Sequence, residues 1–439
     1  MLALALVASV ALAQLDEPRF GRFASRTEQG RSDRGFDADA YAFFEAFPAS
    51  GAGVPAACST TAPTGAKGET LTFTRGSVAT CTATAAGGLV SSGIANGDLV
   101  ELSSNVARVE YDSAGVKGLR VEGSGQNVLT RFIDYTNAAW SDVGTPTPTA
   151  SQASPFSGTY ANSAVLYDDN DGAGFEGRSI PVAVTATSAY IAFCYVKAGT
   201  ATSARIVLDG TAATITGLSS STWSIIEVAD ASASAASVTF EVDVGSTAAT
   251  TGSVVFGGCD VKLGTYRTSI VPTVAAAVTR SSDLAYFALT GAPGFAVGSM
   301  AASINPNSAM SYATPVATAT STVPPGSGAD QLVLYAGGTS GASYKCYMGN
   351  TAASLAVTGA AAFVAPANGP HRGYCAAGGI GGTLTGGFDT NSMSASAAIP
   401  AGPYGAENYL FVGSTNNAIT YVDSIVSRIC RDPIATRCR

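Results

Sequence analysis

From residue 70 onward the chain is a succession of short runs rich in β-branched and aromatic residues: TLTFTRG, GDLVELS, ARVEYDS, KGLRVEG, AYIAFCYVKAG, ARIVLDG, TWSIIEVAD, SVTFEVDVG and SVVFGGCDVKLG. Gly, Asn, Asp and Pro stand between them, and several alternate apolar with polar residues, which is the period of a half-buried strand. The style continues to the end in SMAASINP, QLVLYAGG, SYKCYMGN, NYLFVGS and AITYVDSIVSRICRDP. A chain broken this often by turn chemistry has no room for long helices. The pattern predicts a mainly β protein of two β-sandwich (jelly-roll) domains, one inserted in or flanked by the other. Ahead of them DADAYAFFEAF, residues 37–47, predicts a short helical or extended segment. Its Tyr41, Phe43, Phe44 and Phe47 lie within helical reach of one another and need a surface to pack on.

The 439 residues suffice for two or three domains with cores of ordinary size. Two breaks organise them. TPTPTASQASP, 145–155, reads as an ordered linker or long loop, and RTSIVPTVAAAVTRSSD, 267–283, as an extended connection. The expected division is 1–13, a charged segment 14–49, a first β region 50–144, a central sandwich 145–272 and a last β region 273–439. Residues 1–13, MLALALVASVALA, have the size and small-residue ending of a secretory signal peptide; the alternative is an N-terminal helix docking on a partner subunit. No segment has the roughly 18 unbroken apolar residues of a membrane span.

Charge excludes a class of partner. The net charge is −8, and the one arginine-rich stretch (Arg19, Arg22, Arg26, Arg31, Arg34) is interleaved with Asp16, Glu17, Glu28, Asp33 and Asp37. That is a mixed, solvated segment and not the basic face that phosphates require, so no nucleic acid is expected. Eight cysteines, Cys58, Cys81, Cys194, Cys259, Cys346, Cys375, Cys430 and Cys438, stand without a CxxC pair and beside a single histidine. This argues against zinc and for disulfides. Proximity suggests Cys58–Cys81, Cys194–Cys259, Cys346–Cys375 and Cys430–Cys438, with buried reduced thiols as the alternative.

Five stretches carry a resemblance. LTFTRGSVAT (71–80), ARVEYDSAGVKGLRVEGSGQNVLTR (107–131), Asn137-Ala-Ala-Trp140 and RTSIVPTVAAAVTRSSD (267–283), with the ending YVDSIVSRICRDP, together resemble phage tail-fibre-like and other virion-associated proteins. The resemblance implies a carbohydrate-binding-module-like jelly roll inserted in a concanavalin-A or laminin-G-like sandwich. Residues 273–439 would then pair with 60–135 around the central module. It also implies a structural and adhesive role on a particle. The N-terminal run and the cysteines depart from the pattern and suit instead a secreted bacterial lectin-like surface protein.

The residues that could carry chemistry are few. His371, in ANGPHRGYC, has no second histidine for a metal and no G-x-S-x-G elbow beside it. Glu241 and Asp243 fall on one face of a strand, and a glycoside hydrolase needs two carboxylates facing each other across a sugar. No catalytic residue is assigned, and a hydrolase ranks behind the two adhesive readings. Asp168, Asp169 and Asp171 in VLYDDNDGAGFEG suit a calcium ion, although an acidic hairpin turn is the preferred reading. For sugars, which stack on exposed rings, the candidates are Tyr160, Tyr167, Tyr195 and Trp223. Tyr160 and Tyr167 stand on the more polar segments. Core packing is preferred for Trp140 and Trp223, because a rare large aromatic near a strand start usually anchors a sandwich. Alternation sends Phe193 and Tyr195 to one face of their strand and Cys194 to the other. The expected partners are glycans or cell-surface polysaccharide, other virion or surface subunits and further copies of the chain; no cofactor other than calcium is expected.

Overall fold

The computed structural model describes residues 70–83, 98–112, 115–264 and 267–288, together with the backbone of strands Ala40–Glu45 and those between Gly298 and Arg428. The protein is mainly β, as the alternation predicts. No helix of the described residues is long and apolar enough to cross a membrane.

The central unit is a sandwich of two antiparallel sheets. One runs in the order Thr211–Thr216, Ser203–Leu208, Ser237–Val244, Gly177–Ala183, Ser141–Val143. The other runs Ser224–Asp230, Tyr190–Ala198, Gly252–Leu263, Ala164–Asp169, Thr147–Gln152. Every second residue points into the space between them. Val165, Tyr167, Cys194, Val196, Ile226, Val254 and Phe256 of one sheet meet Ile180, Val182, Ile206, Val238, Phe240 and Val242 of the other. Trp140 is buried in this core against Tyr135 and Phe240, at 5.1 and 6.2 Å between ring centroids. Cys194 and Cys259 face each other across adjacent strands and form a disulfide in that core. Cys81 is disulfide-bonded as well. The pairings expected for Cys58, Cys346, Cys375, Cys430 and Cys438 rest on side chains outside the described residues.

Strands on either side of this sandwich in sequence join each other. Thr72–Thr74 pairs with Leu284–Ala288, which continues through Tyr409–Val412 to Ser354–Thr358. Arg108–Asp112 and Gly115–Glu122 pair with each other, and the second continues through Ile419–Arg428 and Gly298–Pro306 to Asn391–Ala398. The central sandwich is therefore an insertion between strands of flanking sheets.

Of the two forms expected for the aromatic segment the extended one is found: Ala40–Glu45 is a strand, paired antiparallel with Ile419–Arg428 so that Phe43 stands opposite Val426. A helix this short is marginal in water, whereas aromatic residues suit a strand that finds an edge. One local expectation is corrected: TPTPTASQASP, expected as an ordered linker or long loop, contains Thr147–Gln152, the edge strand of a sheet. An edge position tolerates proline because one side of the strand has no ladder to complete.

The charges of the motif stretches converge where the insertion meets the flanking strands. Arg75, Arg108, Glu122, Arg280 and Asp283 are all fully buried or nearly so. Arg108 bonds Glu122 at 2.8 Å and also bonds Asp283, which lies 3.4 Å from both Arg75 and Arg280. Glu122 further accepts from the Ser269 amide at 2.9 Å and hydroxyl at 2.6 Å, and its own amide donates to Asp283 at 2.9 Å. Beside it Lys262 bonds Asp260 at 3.0 Å and the Ser269 carbonyl at 2.6 Å. Burial alone would raise the Glu122 carboxyl, but Arg108, Arg120 and Arg280 outweigh it and hold the group well below the usual glutamate range. Residues from TFTRG, ARVEYD, GLRVEG and AVTRSSD thus form one ionic joint.

Candidate functional site

The strand Tyr190–Ala198 places Cys194 and Val196 inside the sandwich and Phe193, Tyr195 and Lys197 outside, as alternation requires. On the neighbouring strand Glu227 stands opposite Phe193 and Ile225 opposite Tyr195. Trp223, just before that strand, lies under Lys197, whose ammonium is 4.8 Å from the ring centroid. On the other side the register of Gly252–Leu263 slips by one residue between Phe256 and Gly258. The slip falls at Gly257, where a Cβ would come within 2.3 Å of Pro155 and 2.7 Å of the Trp223 ring. The two glycines let the segment carrying Pro155, Phe156 and Tyr160 lie directly on the sheet. Gly257→Ala is expected to push Trp223 and Pro155 outward, at a cost of about 1–3 kcal/mol by urea unfolding with a change in tryptophan emission. Wild-type emission and stability would show that the contact yields without cost.

The result is an aromatic face with a buried floor and an open rim. Leu99, Phe132, Phe156, Phe193 and Ile270 make the floor, and Tyr160, Tyr195 and Ile225 are half-buried against it. Phe156 sits 6.1 Å from Tyr160 and 6.2 Å from Tyr195, ring edge to ring face, and Phe132 sits 5.3 Å from Tyr160. Polar groups frame the rim. Arg267 bonds Glu227 at 3.1 Å with its guanidinium 5.8 Å from the Phe193 ring. Partial burial and the nearby Glu101 charge raise the Tyr160 phenol, so it is a neutral donor at physiological pH. Half-buried rings flanked by a few placed polar groups suit the C–H faces and hydroxyls of a sugar.

Tyr160, Tyr195 and Trp223 therefore share one face of the molecule. Tyr167 does not belong to it. It points inward from Ala164–Asp169, fully buried between Tyr135 and Phe256 at 6.3 and 5.9 Å, because Val165, Tyr167 and Asp169 are the inward positions of that strand. Phe132, Phe156, Lys197 and Arg267 escaped sequence reasoning, since they come from separate loops and strands with no common spacing.

The acidic stretch divides in a similar way. Asp168 points outward between Thr147 and Ser253, whereas Asp169 and Asp171 come together with Glu176. Glu241 and Asp243 lie on one outer face and share Arg205, at 3.0 and 2.7 Å, whose guanidinium stacks 4.0 Å over Phe175. Burial first, then Glu241, pushes the Asp243 carboxyl up to about 8. The two carboxylates are neighbours on an ion triad and do not oppose each other across a cleft. His371 begins the strand His371–Ala377, opposite Ile304; its side chain is outside the described residues.

No family model matches the chain, and no curated protein matches it. Among solved structures it is similar to an arabinose-bound α-L-arabinofuranosidase, with 14% identity, 35% of this chain and 28% of that one covered, and a TM-score of 0.26. The N-terminal CBM22 tandem domain from Paenibacillus barcinonensis Xyn10C is similar at 10% identity, over 70% of this chain and 99% of that one, with a TM-score of 0.25. Domains LG4-5 of the mouse laminin α1 chain are similar at 10% identity, over 66% and 94%, with a TM-score of 0.20. The chain spans under a third of the arabinofuranosidase. At these scores the likenesses carry no argument about function, which rests on the geometry above.

Proposed function

We propose that this chain is a non-enzymatic structural and adhesion protein of a phage particle, and that its central sandwich binds glycan on the aromatic face. The observation that carries the binding is the convergence of Tyr160, Tyr195 and Trp223 on one half-open surface, with Lys197 and the Arg267–Glu227 pair beside them. The motif stretches that resemble virion-associated proteins support the setting. A second reading, a secreted lectin-like surface protein, is favoured by the buried Cys194–Cys259 disulfide, which forms in oxidising compartments.

A glycan array followed by titration of the best ligand tests the binding. Trp223→Ala and Tyr195→Ala are each expected to weaken it roughly tenfold, as for rings at the centre of a binding surface. Thr214→Ala, on the opposite sheet, is expected to change nothing. A silent array, or ligands held equally by all three variants, would remove the proposal. Intact mass of the chain taken from purified particles, set against chain from culture medium, separates the two settings.

A further inference from the structure

We propose that Asp169, Asp171 and Glu176 hold a calcium ion at the end of the sandwich. The chain brings them together by its turn. Asp169 is the last residue of Ala164–Asp169, Gly172 at φ +61° reverses the direction, and Glu176 stands just before Gly177–Ala183. One carboxylate oxygen from each lies within 4.8 Å of the other two.

What marks the cluster is how each carboxylate is held. One oxygen of each is fixed by local donors. Asp169 Oδ1 accepts from the amides of Asp171 at 3.3 Å and Gly172 at 3.2 Å, and Asp171 Oδ1 accepts from the Ala173 amide at 2.7 Å. Glu176 Oε1 accepts from the Thr145 amide at 3.2 Å and hydroxyl at 2.8 Å. The remaining oxygens of the two buried members, Asp169 Oδ2 and Glu176 Oε2, have no hydrogen-bond partner among the described residues. Those side chains belong to residues only 1% and 3% exposed. No Lys or Arg pairs with any of the three among the described residues.

Buried carboxylate oxygens are rarely left without a partner, and like charges packed this closely repel one another. A hard dication answers both requirements at once. The donors gathered among the described residues are all carboxylate oxygens, which suit a hard cation better than zinc. Carboxylates gathered by an irregular glycine-containing turn suit calcium, which accepts irregular oxygen coordination, better than magnesium with its strict octahedron. Asp168, the other acidic residue of the run, takes no part, and Glu176 replaces it.

The test uses the full chain, stripped with EGTA and dialysed, then titrated with CaCl₂ by calorimetry and by thermal unfolding. One calcium per chain is expected, with the midpoint raised by roughly 5 °C at a hundredfold excess over the dissociation constant. Glu176→Gln and Asp171→Asn should each weaken binding by roughly tenfold or more, through loss of ligand charge. Asp171 is exposed, so its variant folds whatever becomes of the buried one. A stripped chain that shows neither binding heat nor a shifted midpoint overturns the proposal. So does calcium binding that Asp171→Asn and Glu176→Gln leave unchanged.

Discussion

Asp283→Ala is expected to lower the unfolding free energy by about 3–5 kcal/mol in urea denaturation, the cost of removing one partner from a buried ion cluster. Asp283 accepts from Arg75, Arg108 and Arg280 and from the Glu122 amide. Without it three buried guanidinium groups are left with Glu122 as their main counter-charge. Glu227→Ala, which breaks only an exposed pair with Arg267, should cost under about 1 kcal/mol. Equal losses in the two variants would show that the joint contributes little.

The same cluster sets an acid limit. Glu122 is depressed below its ordinary value of 4.5 in the folded protein, so the unfolded chain takes up the proton first as the pH falls. The stabilisation is fully present above about pH 4.5 and is lost as the pH falls from there towards the folded value. Glu122→Gln is therefore less stable than wild type at neutral pH, but its stability should decline less steeply below pH 4.5. Parallel acid limbs for the two proteins would contradict the assignment.

The ionic joint also shows what the sequence could and could not reveal. Strands were legible wherever one face is wet, as in Ser237–Val244, because burial then alternates with the residues. Gly252–Leu263 is buried on both faces, one against the core and one under Phe132, Phe156 and Ile270, so its run SVVFGGCDVKLG hardly alternates. The motif stretches were recognisable as strings, but nothing in their spacing said that Arg75, Arg108, Glu122, Arg280 and Asp283 meet, since the contacts span up to 208 positions. The aromatic face was half legible. Alternation set Tyr195 on the face away from Cys194, but the inward turn of Tyr167 depends on which face of Ala164–Asp169 meets the core, and composition does not record that. Glu176 stood in plain view in DGAGFEG, yet a search for the spacing of a calcium loop passes over it, because the Gly-rich turn and not a fixed period brings it to Asp169.

Replacing Cys194 and Cys259 together by alanine is expected to cost about 4 kcal/mol, the loop-closure entropy released when the cross-link spanning 65 positions is removed from the unfolded chain. The folded state should survive, because the strands Tyr190–Ala198 and Gly252–Leu263 stay paired along their length and the cysteines are one opposed pair among many. A smaller loss adds to it: the Tyr135 hydroxyl, fully buried, donates to Cys259 Sγ at 3.1 Å and loses that acceptor. Both sulfurs are fully buried, so the native protein should resist dithiothreitol and leave this pair unalkylated until urea opens the sandwich. Peptide mapping after alkylation, with and without urea, reads this directly. Cys194 and Cys259 recovered as alkylated thiols from freshly isolated, unreduced protein would mean that the chain folds in a reducing compartment, with the two cysteines acting only as small apolar side chains.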